Sequence, residues 1–182
     1  LFVRRKRIGT VVSEKKRARN RKHVMGFTKI GELNGKKAGT NCLAAGLGRA
    51  MPSDVKRLGL SEDDKVIRIR RLRYCDDVLV ILEENHFPKE YAYLLAEDLN
   101  GSLNEILNRH GVSLVGGSKI IGVCYANREE ARLLNIKEND ALILSKDVVH
   151  DAAGNAVYWG KEVINVERYE YYILITDRVE FG

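Results

Sequence analysis

Lys56-Arg57-Leu58-Gly59-Leu60-Ser61-Glu62-Asp63-Asp64 and Arg132-Leu133-Leu134-Asn135-Ile136-Lys137-Glu138-Asn139-Asp140 align without a gap at a constant offset of 76 residues. Each copy reads as a short helix, an acidic turn and then a hairpin, so the chain carries one unit twice between Ser53 and Glu83 and between Glu129 and Glu162. The first hairpin runs from Val66 to Tyr74, turns at Cys75-Asp76-Asp77 and returns from Val78 to Glu84. The second runs from Ala141 to Val149, turns between Asp151 and Asn155 and returns from Ala156 to Glu162. Two copies of a unit this small predict one shared antiparallel sheet rather than two domains. The fold class expected is α+β, with about six strands and helices packed on them.

Working outward, Thr40 to Gly48 reads as the first strand of the body, and Ser53, behind Pro52, as the start of a helix that ends at Gly59. Ser102-Leu103-Asn104-Glu105 and Asn127-Arg128-Glu129-Glu130 are capping-box patterns that open two further helices. Gly116-Gly117 predicts a bend before a strand at Lys119 to Tyr125, and Tyr169 to Val179 predicts a closing strand. Phe27 to Leu33 predicts a short helix ended by the glycine turn at Asn34-Gly35.

Charge divides the chain. Of its 182 residues the first 22 hold ten Lys or Arg against the single Glu14, a net of +9, which leaves −3 for the rest of a chain whose formal total is +6. The basic character therefore belongs to an arm, which is suited to phosphate contacts, and the mildly acidic body has no need of nucleic acid as its main ligand. Within the arm, Phe2-Val3 and Ile8 to Val12 flank a basic cluster like two strands of a hairpin with Arg4 to Ile8 at the tip; Glu14 to Lys22 reads as a linker. The chain opens at Leu1 inside that hairpin, as a piece of a longer protein would.

Several classes fall away. No run approaches the roughly 18 apolar residues of a membrane-spanning helix, and no secretory leader is visible. Cys42, Cys75 and Cys124 are too few and too scattered for a metal site or a disulfide framework, so a reducing cytoplasm is the expected compartment. His86 and His110 lack partners at metal-ligand spacing and read as surface or helix-end residues, and Trp159 reads as packing. Gly116-Gly117 lacks the context of a nucleotide loop. No cofactor or metal is expected.

The candidate site lies on the first hairpin. Alternation places Arg71 and Arg73 on one face of a strand, with Ile67, Ile69 and neighbouring Leu72 as apolar company. Two guanidinium groups on one partly enclosed face repel unless an anion or a carboxylate lies between them, and the returning strand brings Glu83 to their level. The residues alone leave two readings open: an anion site, or a self-satisfied Arg-Glu-Arg network. The second copy has Asp147 and Val149 where the first has Arg71 and Arg73, which predicts one phosphate-sized subsite per chain. Tyr91, Tyr169 and Tyr171 offer hydroxyls and ring faces for the same site, and Ser102 offers a helix N-terminus, although core packing and capping explain them equally. A nucleophile paired with a base is absent, and a Glu83 held as an anion by two arginines is a poor general acid, so catalysis is not expected.

These residues carry a resemblance. Arg4 to Arg7 followed by Ile8-Gly9-Thr10-Val11-Val12 resembles the end of the wing in the winged helix of GntR-type transcriptional regulators, with Val11 in place of the usual aromatic residue. The body from Gly26 to Val179 resembles the UTRA effector-binding domain of the HutC branch. It does so through Ala50, Leu58-Gly59-Leu60, Val66, Arg71-Leu72-Arg73, Asp77, Glu83 with Pro88, Gly101-Ser102-Leu103, Glu130-Ala131 with Leu134, Asp151, Gly154 and Arg168-Tyr169. The resemblance implies a chorismate-lyase-like fold in a homodimeric one-component repressor or activator, a repressor being the expectation. It divides the chain into a wing at 1–13, a basic linker at 14–25 and an effector-binding and dimerisation domain at 26–182. It implies DNA-backbone contacts from Arg4, Arg5, Lys6, Arg7 and Thr10. It also implies an effector pocket lined by Arg71, Arg73 and Glu83, taking a small anionic metabolite such as a sugar phosphate. The alternatives that stay open are a carboxylate or amino-acid-derived effector, a lyase-like enzyme, or a purely structural dimerisation body.

Overall fold

The computed structural model describes residues 2–5, 9–12 and 37–168. The helix expected at Phe27 to Leu33, the strand expected at Tyr169 to Val179, and Lys6 and Arg7 lie outside them. In the arm, β1 (Phe2–Arg5) pairs antiparallel with β2 (Gly9–Val12), Phe2 opposite Val12 and Arg5 opposite Gly9, so Arg4 and Arg5 belong to a strand rather than to the tip.

The body begins with β3 (Ala38–Arg49) and α1 (Pro52–Leu58), followed by the hairpin of β4 (Lys65–Cys75) and β5 (Val78–Pro88). A 3-10 helix (Lys89–Ala96) and α2 (Leu103–Arg109) lead to β6 (Leu114–Tyr125) and α3 (Arg128–Leu134), and the second hairpin is β7 (Ala141–Asp151) with β8 (Ala156–Ile164). Six strands make one antiparallel sheet in the order β3-β4-β5-β8-β7-β6.

The repeat is visible in the detail of the backbone. In α1 the Asp54 carboxylate accepts from the Met51 amide at 2.8 Å, and in α3 Glu130 accepts from the Asn127 amide at 3.1 Å, so each helix start is closed by its third residue. Both helices end on a left-handed residue, Gly59 at φ 67° and Asn135 at φ 53°. Both acidic turns are closed by their last aspartate, through Ser61 N to Asp64 at 2.7 Å and Lys137 N to Asp140 at 2.9 Å. The hairpin turns differ. Asp76 and Asp77 both take positive φ, 51° and 64°, as a two-residue turn matched to strand twist requires, whereas Asp151 to Asn155 is a longer loop. The two hairpins then meet through β5 and β8, with Glu84 opposite Lys161 at the centre.

Helices cover both faces of the sheet. On one, α1 and α3 lie over Leu72, Leu82, Leu142 and Val163 and over Val66 and Trp159. On the other, Ile67, Ile69 and Phe87 pack against Tyr91, Leu94, Leu99, Leu103, Ile106 and Leu107 from the 3-10 helix, α2 and the segment between them. Each fully buried side chain of this kind contributes about 1.5–3 kcal/mol.

Three expectations are corrected. Leu72 faces α3, not the arginines, because a residue between two that share a face must point the other way. Gly116-Gly117 is not a bend: β6 runs through both, with a register shift between Leu114 and Gly116, and a Cβ on Gly117 would lie 2.3 Å from the Val148 carbonyl oxygen. His86 is not a surface residue. It is 1% exposed, stacked on Trp159 at 4.2 Å, with Nδ1 2.8 Å from Asp54 and Nε2 3.0 Å from Glu84. Trp159 packs as expected and also donates its indole N–H to Asp54 at 2.8 Å. Asp54 thereby ties α1 to β5 and β8. Burial pushes its carboxyl up, but the Met51 amide, Trp159, His86 and Arg68 outweigh that and hold it below the usual range. His110 ends α2 as expected, stacked on Tyr93 at 3.9 Å.

Candidate functional site

The registers place one polar band across the helix-covered face that carries Ile67 and Ile69. Reading across the strands, Cys42, Arg71, Glu83, Glu162 and Ser145 stand opposite one another in turn, and Asn85, Gly160, Asp147 and Lys119 form the adjacent row. Apolar rows flank the band: Ile67, Phe87, Tyr158 and Val149 on one side, Ile81, Ile164 and Ile143 on the other.

At the β4 end, Glu83 bridges the arginine pair. Arg71 Nη2 donates to Oε1 at 2.7 Å and Arg73 Nε to Oε2 at 2.5 Å, and the amide nitrogen of Asn85 also donates to Oε1. Arg73 reaches the Thr40 hydroxyl at 2.9 Å, and Arg71 donates to the Gly101 carbonyl at 3.1 Å, which fastens the loop before α2 to the sheet. Arg71 is 1% exposed, yet its Nε has no hydrogen-bond partner among the described residues. Burial pushes Glu83 up, but Arg71 and Arg73 outweigh burial and hold the carboxyl well below its usual range. Burial also lowers Arg71, with Glu83 opposing and Arg73 adding. A carboxylate held this firmly does not serve as a proton donor.

At the β7 end, Lys119 donates to the Ser145 hydroxyl at 3.1 Å and lies 3.4 Å from both Glu162 and Asp147. Burial pushes Glu162 up, opposed by Lys119 and reinforced by Glu83 and Asp147. Tyr158 is raised well above the usual phenol range by burial and by Asp147, Glu83 and Glu162, so it stays an O–H donor.

Of the other expected site residues, Tyr91 lies in the core against Phe87 at 5.8 Å, with its phenol raised to about 12 mainly by burial. Ser102 caps α2 by accepting from the Glu105 amide at 3.4 Å, next to the Gly101 carbonyl that holds Arg71. Tyr169 and Tyr171 lie outside the described residues. Among the described residues, no group of three or more His, Cys, Asp or Glu could hold a metal, and no helix is long and apolar enough to cross a membrane. Asn85, Lys119, Ser145, Tyr158 and Glu162 escaped the sequence reading. Asn85 had a signal, standing two residues from Glu83 on the same strand face; the rest reach the site through pairing of distant strands.

Residues 33–170 match the model of the UTRA domain. The HTH-type transcriptional repressor NagR of Bacillus subtilis is 24% identical over 173 residues, 94% of this chain and 71% of that protein. The uncharacterized HTH-type transcriptional regulator YurK of the same organism is 26% identical over 146 residues, 78% of this chain. The chain spans 60% of that regulator's length. Among solved structures, PhnF from Mycobacterium smegmatis superposes with a TM-score of 0.79 at 22% identity, over 97% of this chain and 79% of PhnF, which shows the shared fold. With its matched span covering well over half of the sequence, the chain belongs to the UTRA domain family.

Proposed function

We propose that this domain senses a small anionic metabolite, a sugar phosphate fitting best, and that the bound anion meets Arg71 and Arg73. The observation that carries the reading is the charge of the buried triad: two guanidinium groups against one carboxylate, with an N–H of Arg71 left over. An anion entering beside Glu83 would neutralise the remaining charge and take that donor. The Gly101 carbonyl on Arg71 gives a route outward, since a ligand that draws on Arg71 also bears on the loop before α2.

In the full-length regulator the wing would follow the DNA backbone through Arg4, Arg5, Lys6, Arg7 and Thr10, and effector binding would shift the spacing of two such wings in a homodimer. Among the described residues β6 is an edge strand with Ile120, Val123 and Tyr125 exposed, which suits burial against a second copy. A monomeric sedimentation coefficient at micromolar concentration would remove the dimer from this scheme.

The test is thermal unfolding of the chain against sugar phosphates, sugar acids and amino-acid derivatives, repeated in Arg71→Ala and Arg73→Ala. A ligand at about 100 times its Kd adds about 2.7 kcal/mol to stability, a readily measured shift. The expected outcome is stabilisation by one anionic class, lost in both variants. A stabilising anion that is indifferent to both variants would leave the triad as a structural network.

A further inference from the structure

Exposed apolar surface is concentrated on one strand. The four most exposed large hydrophobic residues among those described, Val123 at 71%, Tyr125 at 68%, Ile120 at 65% and Ile121 at 45%, all lie on β6. Ile121, Val123 and Tyr125 share the sheet face that carries Lys119, while Ile120 points from the other, so the strand is bare on both. β6 is also the last strand of the sheet among the described residues, which leaves one side of its ladder open. Edge strands are ordinarily guarded by charge, proline or a bulge. From Leu114 to Tyr125 the sequence holds no proline and a single charge, Lys119, and that charge is turned toward Asp147 and Glu162 at 3.4 Å each. The register shift against β7 lies between Leu114 and Gly116, so Gly117 to Tyr125 runs regularly.

Such an edge fits a second copy of itself. Pairing the whole regular stretch antiparallel with the same stretch of a partner fixes the register. Ile121 then stands on the two-fold axis opposite the partner's Ile121, Ile120 opposite the partner's Gly122, Lys119 opposite the partner's Val123, and Gly117 opposite the partner's Tyr125. Both glycines of the stretch thereby lie against a large side chain, which covers the gap that a glycine leaves in a strand. A Cβ on Gly122 would meet nothing within 4 Å, so the partner's Ile120 has room there. No charge opposes its like, whereas an axis two residues earlier would set Lys119 against the partner's Lys119. The four exposed side chains present about 500 Å² per copy, and two copies together reach the roughly 1,000 Å² that a specific interface needs.

We infer that β6 pairs with β6 of a second copy about a two-fold axis at Ile121, joining two six-stranded sheets into one, and that the partner's Val123 closes the site beside Lys119. This pairing rests on the homodimer reading and gives it a surface and a consequence for the site. Lys119 belongs to the polar band but stands on its outermost strand, with a side chain 34% exposed, so no described strand walls the band on that side. An apolar neighbour there excludes water from the Lys119 ion pairs and strengthens them.

Oxidative cross-linking of the whole chain tests the register. Ile121→Cys should give a disulfide-linked dimer, because directly opposed residues have Cα atoms about 4.5–5.5 Å apart, within the span of a disulfide. Ile120→Cys and Val123→Cys, each displaced from its own copy, should not link. The unsubstituted chain, whose Cys124 stands opposite the partner's Ser118, should also remain unlinked. Ile121→Arg sets two guanidinium groups face to face and should lower the sedimentation coefficient at micromolar concentration to that of a monomer. Trace acetylation read by mass spectrometry reports the wall: Lys119 should react several-fold faster in Ile121→Arg than in the unsubstituted chain. A dimer that survives Ile121→Arg, or that links through Ile120→Cys or Val123→Cys instead of Ile121→Cys, overturns this interface and leaves the homodimer standing. Equal acetylation of Lys119 in dimer and monomer removes the partner from the site. A chain that is monomeric without substitution overturns both the interface and the homodimer, and leaves the edge to another occupant. No anion enters these measurements, so none of their outcomes bears on Arg71 and Arg73.

Discussion

The two repeats share a backbone and differ in the chemistry they place on the sheet. Their helices and first strands begin and end 76 residues apart, and both helices close their starts with an acidic third residue. On the sheet face the equivalence ends. The first copy carries Arg71, Arg73 and Glu83, a closed and buried triad, where the second carries Asp147, Val149 and, opposite Asp147, Gly160. The frame thus recurs, and the polar band lies where the copies differ, across the β5 and β8 seam that joins them.

The largest expected difference between the copies is electrostatic. Glu83→Gln leaves two guanidinium groups buried against a neutral amide and should cost about 3–5 kcal/mol, while Asp147→Asn at the other end should stay within about 1 kcal/mol of zero. Urea denaturation of both variants checks this. Comparable losses would show that the second end is as closed as the first.

Next come the helix starts. Asp54 is fully buried and accepts from the Met51 amide and the Trp159 indole, with His86 and Arg68 also against it. Glu130 accepts from the Asn127 amide and forms a long ion pair with Lys161, at 3.7 Å. Asp54→Ala should therefore cost about 3 kcal/mol and Glu130→Ala about 1 kcal/mol, measured the same way. Equal costs would mean that the Trp159 and His86 contacts add nothing to the cap.

The two glutamates of the central row should respond to pH with opposite sign. Glu83 is depressed below its ordinary 4.5, so the stability it contributes is present above that value and is lost as pH falls through the folded value. Glu162 is raised above 4.5, so its contribution is present at and below that value and is lost as pH rises through the folded one. Glu162→Gln should flatten the decline in stability above pH 4.5 without touching the acid limb. Denaturation curves across that range decide it, and an unchanged slope in the variant would remove Glu162 as its source.

Local chemistry in the sequence went far toward this structure. The ungapped offset found both helix-turn-hairpin units, and capping patterns at Ser102 and Asn127 marked the starts of α2 and α3. Alternation brought Arg71, Arg73 and Glu83 together, because hairpin register follows from a short turn. What stayed hidden depends on partners distant in sequence. Nothing near Gly117 announces the Val148 carbonyl, nothing near His86 announces Asp54, and nothing in either hairpin announces that Glu83 stands opposite Glu162. Half of the polar band was therefore legible, the half contained within one hairpin.

The smallest expected difference lies at the helix ends, where the two copies solve one backbone problem with different residues. Gly59 and Asn135 both occupy left-handed conformations after helices of equal length, and a Cβ on Gly59 would meet nothing within 4 Å. Space is therefore not the issue, and only the backbone preference is tested. Gly59→Ala should cost about 1 kcal/mol, the left-handed penalty of an ordinary residue. Asn135→Gly exchanges a residue that tolerates this region for one that favours it, but the more flexible glycine also gains freedom in the unfolded chain. The two effects oppose, and the change should fall within about 0.5 kcal/mol of zero. A loss well beyond that from Asn135→Gly would give the Asn135 side chain a role in the second copy that has no counterpart at Gly59.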